Sequence, residues 1–247
     1  MTTSPSENGR PNSTLFWGVL TTAMLLPSLV TWVYFVALAS APAAVQLTAS
    51  AVGKGVQFAL PVVWVFLIAR RKVNWRWPAV DDLLLGAASG LVIAGMMAGL
   101  YFGWLASVPA FTAAVEPIRE KVTGLGIDTL WKYLGLTLFY ALVHSLLEEY
   151  YWRWFVYAQL RTRWPVTAAL AASSLGFAAH HVIVLAKYFG YASPLTWLFS
   201  LGVAVGGVIW AWQWERTKSL WGIWISHLLV DAAIFLIGLT LLAGVLF

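Results

Sequence analysis

Apolar residues run through this chain in long blocks, and the polar residues fall mostly between the blocks. A helix needs about 20 predominantly apolar residues to cross the hydrocarbon core of a bilayer. Seven blocks fit that requirement: Leu15 to Ser40, Val45 to Ala69, Leu83 to Leu105, Tyr133 to Leu160, Val166 to Ala186, Leu195 to Trp212 and Trp221 to Phe247. The pattern predicts an all-α, polytopic transmembrane helix bundle, one membrane-embedded domain over 15–247 behind a polar, disordered tail over 1–14. The second block is the weakest because it carries Lys54 and Pro61, although membrane helices tolerate proline when neighbours satisfy the freed carbonyl. The first block ends in "ALASA", which mimics a signal-peptidase site. It is longer than a signal-peptide apolar region and only Arg10 precedes it, so an uncleaved first span is expected.

Composition sharpens this reading. With 61% apolar and 10% charged residues, the chain lies far from the soluble average. Many of its 16 tryptophans flank the apolar blocks, including Trp17, Trp75, Trp77, Trp131, Trp164, Trp212, Trp214 and Trp221, as rings anchored at a membrane–water interface do. The net charge of +5 does not point to nucleic acid, because the basic residues sit at block ends, where they set topology. Arg10, Arg70, Arg71, Lys72, Arg76, Arg161, Arg163, Arg216 and Lys218 fall on one side; Arg119, Lys121, Lys132 and Lys187 fall on the other. The positive-inside rule then predicts a cytoplasmic N-terminus. The stretch "EPIREKVTGLGIDTLWKY" mixes charge with apolar residues, and an amphipathic helix along the interface is expected there. Gly86, Gly90, Gly202, Gly206 and the run "AALAASSLGFAA" mark places where helices can pack closely.

The chain has no cysteine, which removes disulfides, thiolate metal sites and cysteine nucleophiles. What remains is concentrated where lipid should have excluded it. All four histidines, His144, His180, His181 and His227, lie inside predicted spans, as do Glu148, Glu149, Arg153 and Asp231. Each such group near the bilayer centre costs about 2.5–3.5 kcal/mol on insertion scales, so they must face one another or a wet cavity. His144 with Glu148, Glu149 with Arg153, and His227 with Asp231 are each four residues apart, and each pair shares a helix face. Pairing Glu149 with Arg153 leaves Glu148 as the less compensated carboxylate. Adjacent carboxylates in a low dielectric titrate as a coupled unit, and such a unit suits general acid–base chemistry. His227 can instead be oriented by Asp231, presenting its other nitrogen as donor or base. At about 1.5 Å per residue from the cytoplasmic ends, Glu148, His181 and Asp231 lie about 20, 24 and 18 Å deep, and His227 about 12 Å. These depths are compatible with one site. His144 and His180 are expected to support it, and Ser145, Ser173, Ser174 and Ser226 to bond back to their own helices.

These residues resemble a family pattern. "EEYYWR" from Glu148 to Arg153 fits EExxxR, "FAAHH" from Phe177 to His181 fits FxxxH, and "HLLVD" from His227 to Asp231 fits HxxxN/D. In this order on separate helices they look like the CAAX-protease and bacteriocin-processing family, which includes the type II CAAX prenyl endopeptidases. The resemblance spans roughly Tyr133 to Asp231. It implies an intramembrane endopeptidase of the glutamic type in a prokaryotic cytoplasmic membrane. By motif position, Glu148 with His181 would activate a water, His227 and Asp231 would stabilise the oxyanion, and Glu149 with Arg153 would shape and neutralise the site. The implied partner is a membrane-associated peptide or protein, with a prenylated tail as one candidate, and no nucleic acid. Trp154 stands where the family often has a small residue, and Asp231 stands where asparagine could donate a hydrogen bond.

Other intramembrane protease signatures are absent: the chain has no HExxH, GxSG or GxGD motif. No cofactor is implied. A divalent metal held by the His, Glu and Asp side chains is one rival expectation. A non-catalytic membrane scaffold of the same fold and a proton-coupled carrier using these carboxylates as a relay are the others.

Overall fold

A computed structural model describes residues 13–71 and 76–246; Arg10, Lys72, Trp75 and most of the polar N-terminal tail lie outside the described residues. Seven helices are long and apolar enough to cross a membrane, and no strand occurs among the described residues. They are α1 (Ser13–Ala37), α2 (Ala43–Ile68), α3 (Val80–Gly103), α6 (Leu130–Arg161), α7 (Val166–Phe189), α8 (Pro194–Thr217) and α9 (Leu220–Leu246). Two short helices, α4 (Pro109–Thr112) and α5 (Val115–Gly124), fill the loop between α3 and α6. The sixth apolar block extends further than its hydropathy suggested, since α8 continues past Trp212 to Thr217.

Punctuation in the sequence explains the helix ends. Pro165 precedes α7, and Gly190 ends it at φ +84°, a conformation that costs glycine little. Ser193 caps α8 by accepting from the Leu195 amide at 3.3 Å, with Pro194 in the first turn. Pro27 lies inside α1 and cannot donate to the Ala23 carbonyl. The Tyr151 hydroxyl of α6 donates to that carbonyl at 2.7 Å, so the break in α1 becomes a helix–helix contact.

The surface is largely apolar, and an otherwise apolar core holds a cluster of buried polar and charged side chains. Leu25, Leu84, Leu91, Met96 and Leu201 are exposed, whereas Glu148, Glu149, Arg153, His180, Gln213, Ser226 and His227 are buried. Lipid on the outside accounts for the first group; mutual pairing must account for the second.

Small residues bring the helices together. A β-carbon at Gly86 of α3 would collide with the Gly222 carbonyl of α9, and one at Gly222 would collide with the Asp82 carbonyl. Gly90 lies closely, though less tightly, against Ser226, and Gly207 of α8 against Ser174 of α7. These contacts realise the packing role expected of Gly86, Gly90 and the small-residue run. The α5 segment is tied down by Arg119, whose guanidinium donates to the Leu241 carbonyl at 3.1 Å, and by Lys121, whose ammonium donates to Gln46 at 2.6 Å.

Candidate active site

Helix α6 carries the centre of the site. Two widened π-helical turns, Phe139–His144 and Tyr150–Tyr157, bracket one α-helical turn, Ser145–Glu149. Such turns alter the direction of side chains along a helix and are frequent at functional sites. The pairs expected from helical spacing nevertheless form. His144 Nε2 lies 3.3 Å from Glu148 Oε1, Arg153 Nη1 donates to Glu149 Oε1 at 3.0 Å, and His227 Nε2 lies 3.6 Å from Asp231 Oδ1.

The two glutamates face different partners. Glu149 is fully buried, and its Oε1 accepts from Arg153 of its own helix and from His227 Nδ1 of α9, the latter at 2.7 Å. Arg153 also donates to the Gly207 carbonyl of α8 at 3.3 Å and lies over the Phe177 and Trp210 rings. One guanidinium thereby links α6, α7 and α8. Glu148 Oε1 is approached by two imidazoles, His144 at 3.3 Å and His180 of α7 at 3.4 Å. Its Oε2 faces His227 Nε2 across 3.8 Å.

That separation is too long for a hydrogen bond, and a water can touch both atoms only from the side of the line between them. With Nδ1–H given to Glu149, a protonated His227 carries its second N–H at Nε2, between Glu148 Oε2 and Asp231 Oδ1. Glu148 and His227 are buried, while the side chains of His144 and Asp231 keep 18% and 15% of their exposure. Those two residues therefore mark the open side of the cluster.

His180 and His181 divide the space differently from their motif positions. The imidazole that touches Glu148 belongs to His180, expected only to support the site. His181 is turned by its own helix: its Nδ1 donates to the Phe177 carbonyl at 3.0 Å, which leaves Nε2 as a free acceptor. It remains within electrostatic range of Glu148 and His227. Phe177 holds both rings, with centroids 5.6 Å from His180 and 4.9 Å from His181.

Three features were not foreseen. Lys54 of α2, which weakened that span in the sequence, lies within electrostatic range of Glu148 and His180. Ser226 does not bond back to its own helix; its hydroxyl accepts from Trp210 Nε1 at 2.9 Å and from Ser89 of α3 at 3.0 Å. Ser174 likewise makes no back-bond, and its hydroxyl has no hydrogen-bond partner among the described residues, whereas Ser145 and Ser173 bond to their own helix as expected. Only Lys54 carried a signal in the sequence, as a charge at mid-span.

Among the described residues, no three His, Asp or Glu side chains are grouped so as to hold a metal ion.

Residues 130–233 match the family model described as Type II CAAX prenyl endopeptidase Rce1-like. The match begins at the start of α6 and ends just after Asp231, so it contains every residue of the cluster except Lys54. It suggests a membrane CAAX protease. No curated protein and no solved structure matches the chain.

Proposed function

We propose that the Rce1-like region of this chain is the catalytic core of an intramembrane endopeptidase of the glutamic type, in which Glu148 activates the water that hydrolyses a peptide bond. The observation that carries this reading is the 3.8 Å gap between Glu148 Oε2 and His227 Nε2, inside a buried polar cluster. A water seated beside that pair of atoms can touch both, giving its proton to the carboxylate oxygen while it meets the imidazole. Two imidazoles at Glu148 Oε1 hold the carboxylate in place, which leaves Oε2 for the water.

In the proposed reaction, Glu148 takes a proton as the water oxygen bonds to the scissile carbonyl carbon. The carbonyl oxygen gains the charge, and the N–H at Nε2 of protonated His227 stabilises it. Glu148 then returns its proton to the leaving amine as the carbon–nitrogen bond breaks. Asp231, 3.6 Å from His227 Nε2 and beyond hydrogen-bond distance, places a carboxylate on the open side of the ring. Glu149 and Arg153 hold the ring from the other. His181, with its Nε2 lone pair free, is the second acceptor for the water or for the amine.

The substrate in this reading is a membrane-associated peptide or protein. A prenylated tail is the candidate that the family description supports. The cytoplasmic N-terminus predicted by the distribution of Lys and Arg belongs to the same proposal. In cells, Glu148→Ala and His181→Ala should each accumulate an uncleaved substrate. Normal processing by both variants would remove the hydrolase assignment.

A further inference from the structure

Against the face of the His227 ring lies a residue that no motif points to. The Trp210 indole of α8 stacks on the His227 imidazole with centroids 4.1 Å apart and ring planes 18° from parallel. The same indole lies 5.1 Å from the Arg153 guanidinium carbon. Arg153 and His227 are the two groups that share Glu149 Oε1, so one aromatic surface touches both donors to that oxygen.

The indole is itself clamped. Its Nε1 donates to Ser226 Oγ at 2.9 Å, and Ser226 sits one residue before His227 on α9. The Ser89 hydroxyl of α3 shares its one proton between that oxygen and the Gly86 carbonyl, each at 3.0 Å, and Gln213 of α8 donates to Ser89 at 2.8 Å. The near-contact of Gly90 with Ser226 lets α3 approach closely enough for this chain to close. All of Trp210, Gln213, Ser226 and His227 are buried. In a low dielectric, such a satisfied network fixes its members in one arrangement.

An imidazole on a helix can turn about its side-chain bonds, and hydrogen bonds to Nδ1 alone would leave its plane free to rock about that contact. Stacking removes this freedom. We propose that Trp210 is a positioning residue: clamped by Ser226, it sets the plane of His227 so that Nδ1 meets Glu149 while Nε2 faces the gap beside Glu148. The catalytic consequence rests on the hydrolytic reading given above; the placement of His227 does not.

The placement can be read without a substrate. The chain has four histidines, so ring-15N-histidine spectra of the full protein in lipid nanodiscs are tractable. A charge-assisted Nδ1–H bond to a carboxylate gives a far-downfield proton, assigned to His227 by its loss in His227→Gln. Trp210→Leu should broaden that resonance beyond detection or move it upfield, as loss of such a bond requires. Trp210→Phe, which keeps a ring but loses the N–H that Ser226 holds, should broaden it as Ser226→Ala does and less than Trp210→Leu. Ser226→Ala should broaden it, because the indole is no longer held.

An unchanged resonance in folded Trp210→Leu would overturn the proposal. If that variant does not fold, an unchanged line shape in Ser226→Ala would overturn it equally. Cleavage of the substrate identified by its accumulation in Glu148→Ala membranes separates the two claims. Loss of the His227 resonance in Trp210→Leu supports the positioning role even if Glu148→Ala processes normally, an outcome that would sink only the hydrolytic reading. With both claims correct, kcat in Trp210→Leu falls about 100-fold, the order seen when a reacting group is misplaced by about 1 Å, and Trp210→Phe, unclamped but still stacked, falls less.

Discussion

His227 Nδ1 lies 2.7 Å from Glu149 Oε1, on the same oxygen that accepts from Arg153. Glutamates adjacent in the sequence are thereby assigned opposite tasks. Glu149 is committed to a guanidinium and an imidazole, whereas Glu148 has one oxygen held by two histidines and the other facing a gap. The roles of the neighbouring residues follow from this division.

Arg153 is the residue on which the architecture most depends. It is buried, pairs with a fully buried carboxylate and also donates to the Gly207 carbonyl. Removing one partner of a buried ion pair costs about 3–5 kcal/mol. Arg153→Leu should therefore unfold at a markedly lower temperature in detergent. Arg153→Lys should not restore the loss, since an ammonium lacks the fork that reaches Glu149 and Gly207 together. Melting curves of the two variants beside wild type test this; a wild-type melting temperature for Arg153→Leu would contradict it.

Asp231 touches the reaction only through His227. An asparagine there keeps a group able to accept from or donate toward the same space, so Asp231→Asn should retain activity within about tenfold. Asp231→Ala should lose activity on the order of 10²-fold, as removal of an oxyanion-stabilising group does. Equal loss in both variants would show that the negative charge itself is needed.

Close packing of α3 against α9 gives a prediction about stability alone. Gly86→Ala and Gly222→Ala each place a methyl group against backbone carbonyl of the facing helix, and overpacking costs about 1–3 kcal/mol. Both should lower the melting temperature. Gly95→Ala, on the same helix with nothing within 4 Å of the added carbon, should leave it unchanged.

Metal dependence separates the proposed mechanism from its main rival. A water activated by Glu148 alone predicts cleavage that survives exhaustive chelation and a purified protein without stoichiometric zinc. Stoichiometric zinc together with chelator-sensitive activity would replace this mechanism with a metal-assisted one.

The sequence was most legible where a requirement is local. Twenty continuous apolar residues read as a helix in lipid, because a segment of that length satisfies its own backbone there only as a helix, barrel strands being shorter and alternating, and all seven spans appear. Residues four apart on one helix must meet, and the three pairs around Glu148, Arg153 and Asp231 do so. Partners on other helices were not legible. His180 and His181 lie about 100° apart around α7, so only one can face Glu148 directly, and nothing local selects it. The phase shift from the π turns of α6 and the placement of α2 decide such questions. For the same reason Lys54 read as a defect in a span, and Ser226 as a residue bonding to its own helix, until α2, α3 and α8 were in place around them.

The central claim, that Glu148 is the base, is tested most directly in proteoliposomes carrying the precursor that accumulates in Glu148→Ala membranes. Glu148→Gln preserves the size of the side chain and removes its ability to take a proton. Its kcat should fall by about 10²–10⁴-fold, the usual contribution of a general base, with a melting temperature close to wild type. Cleavage by the Gln variant within tenfold of wild type would contradict the account.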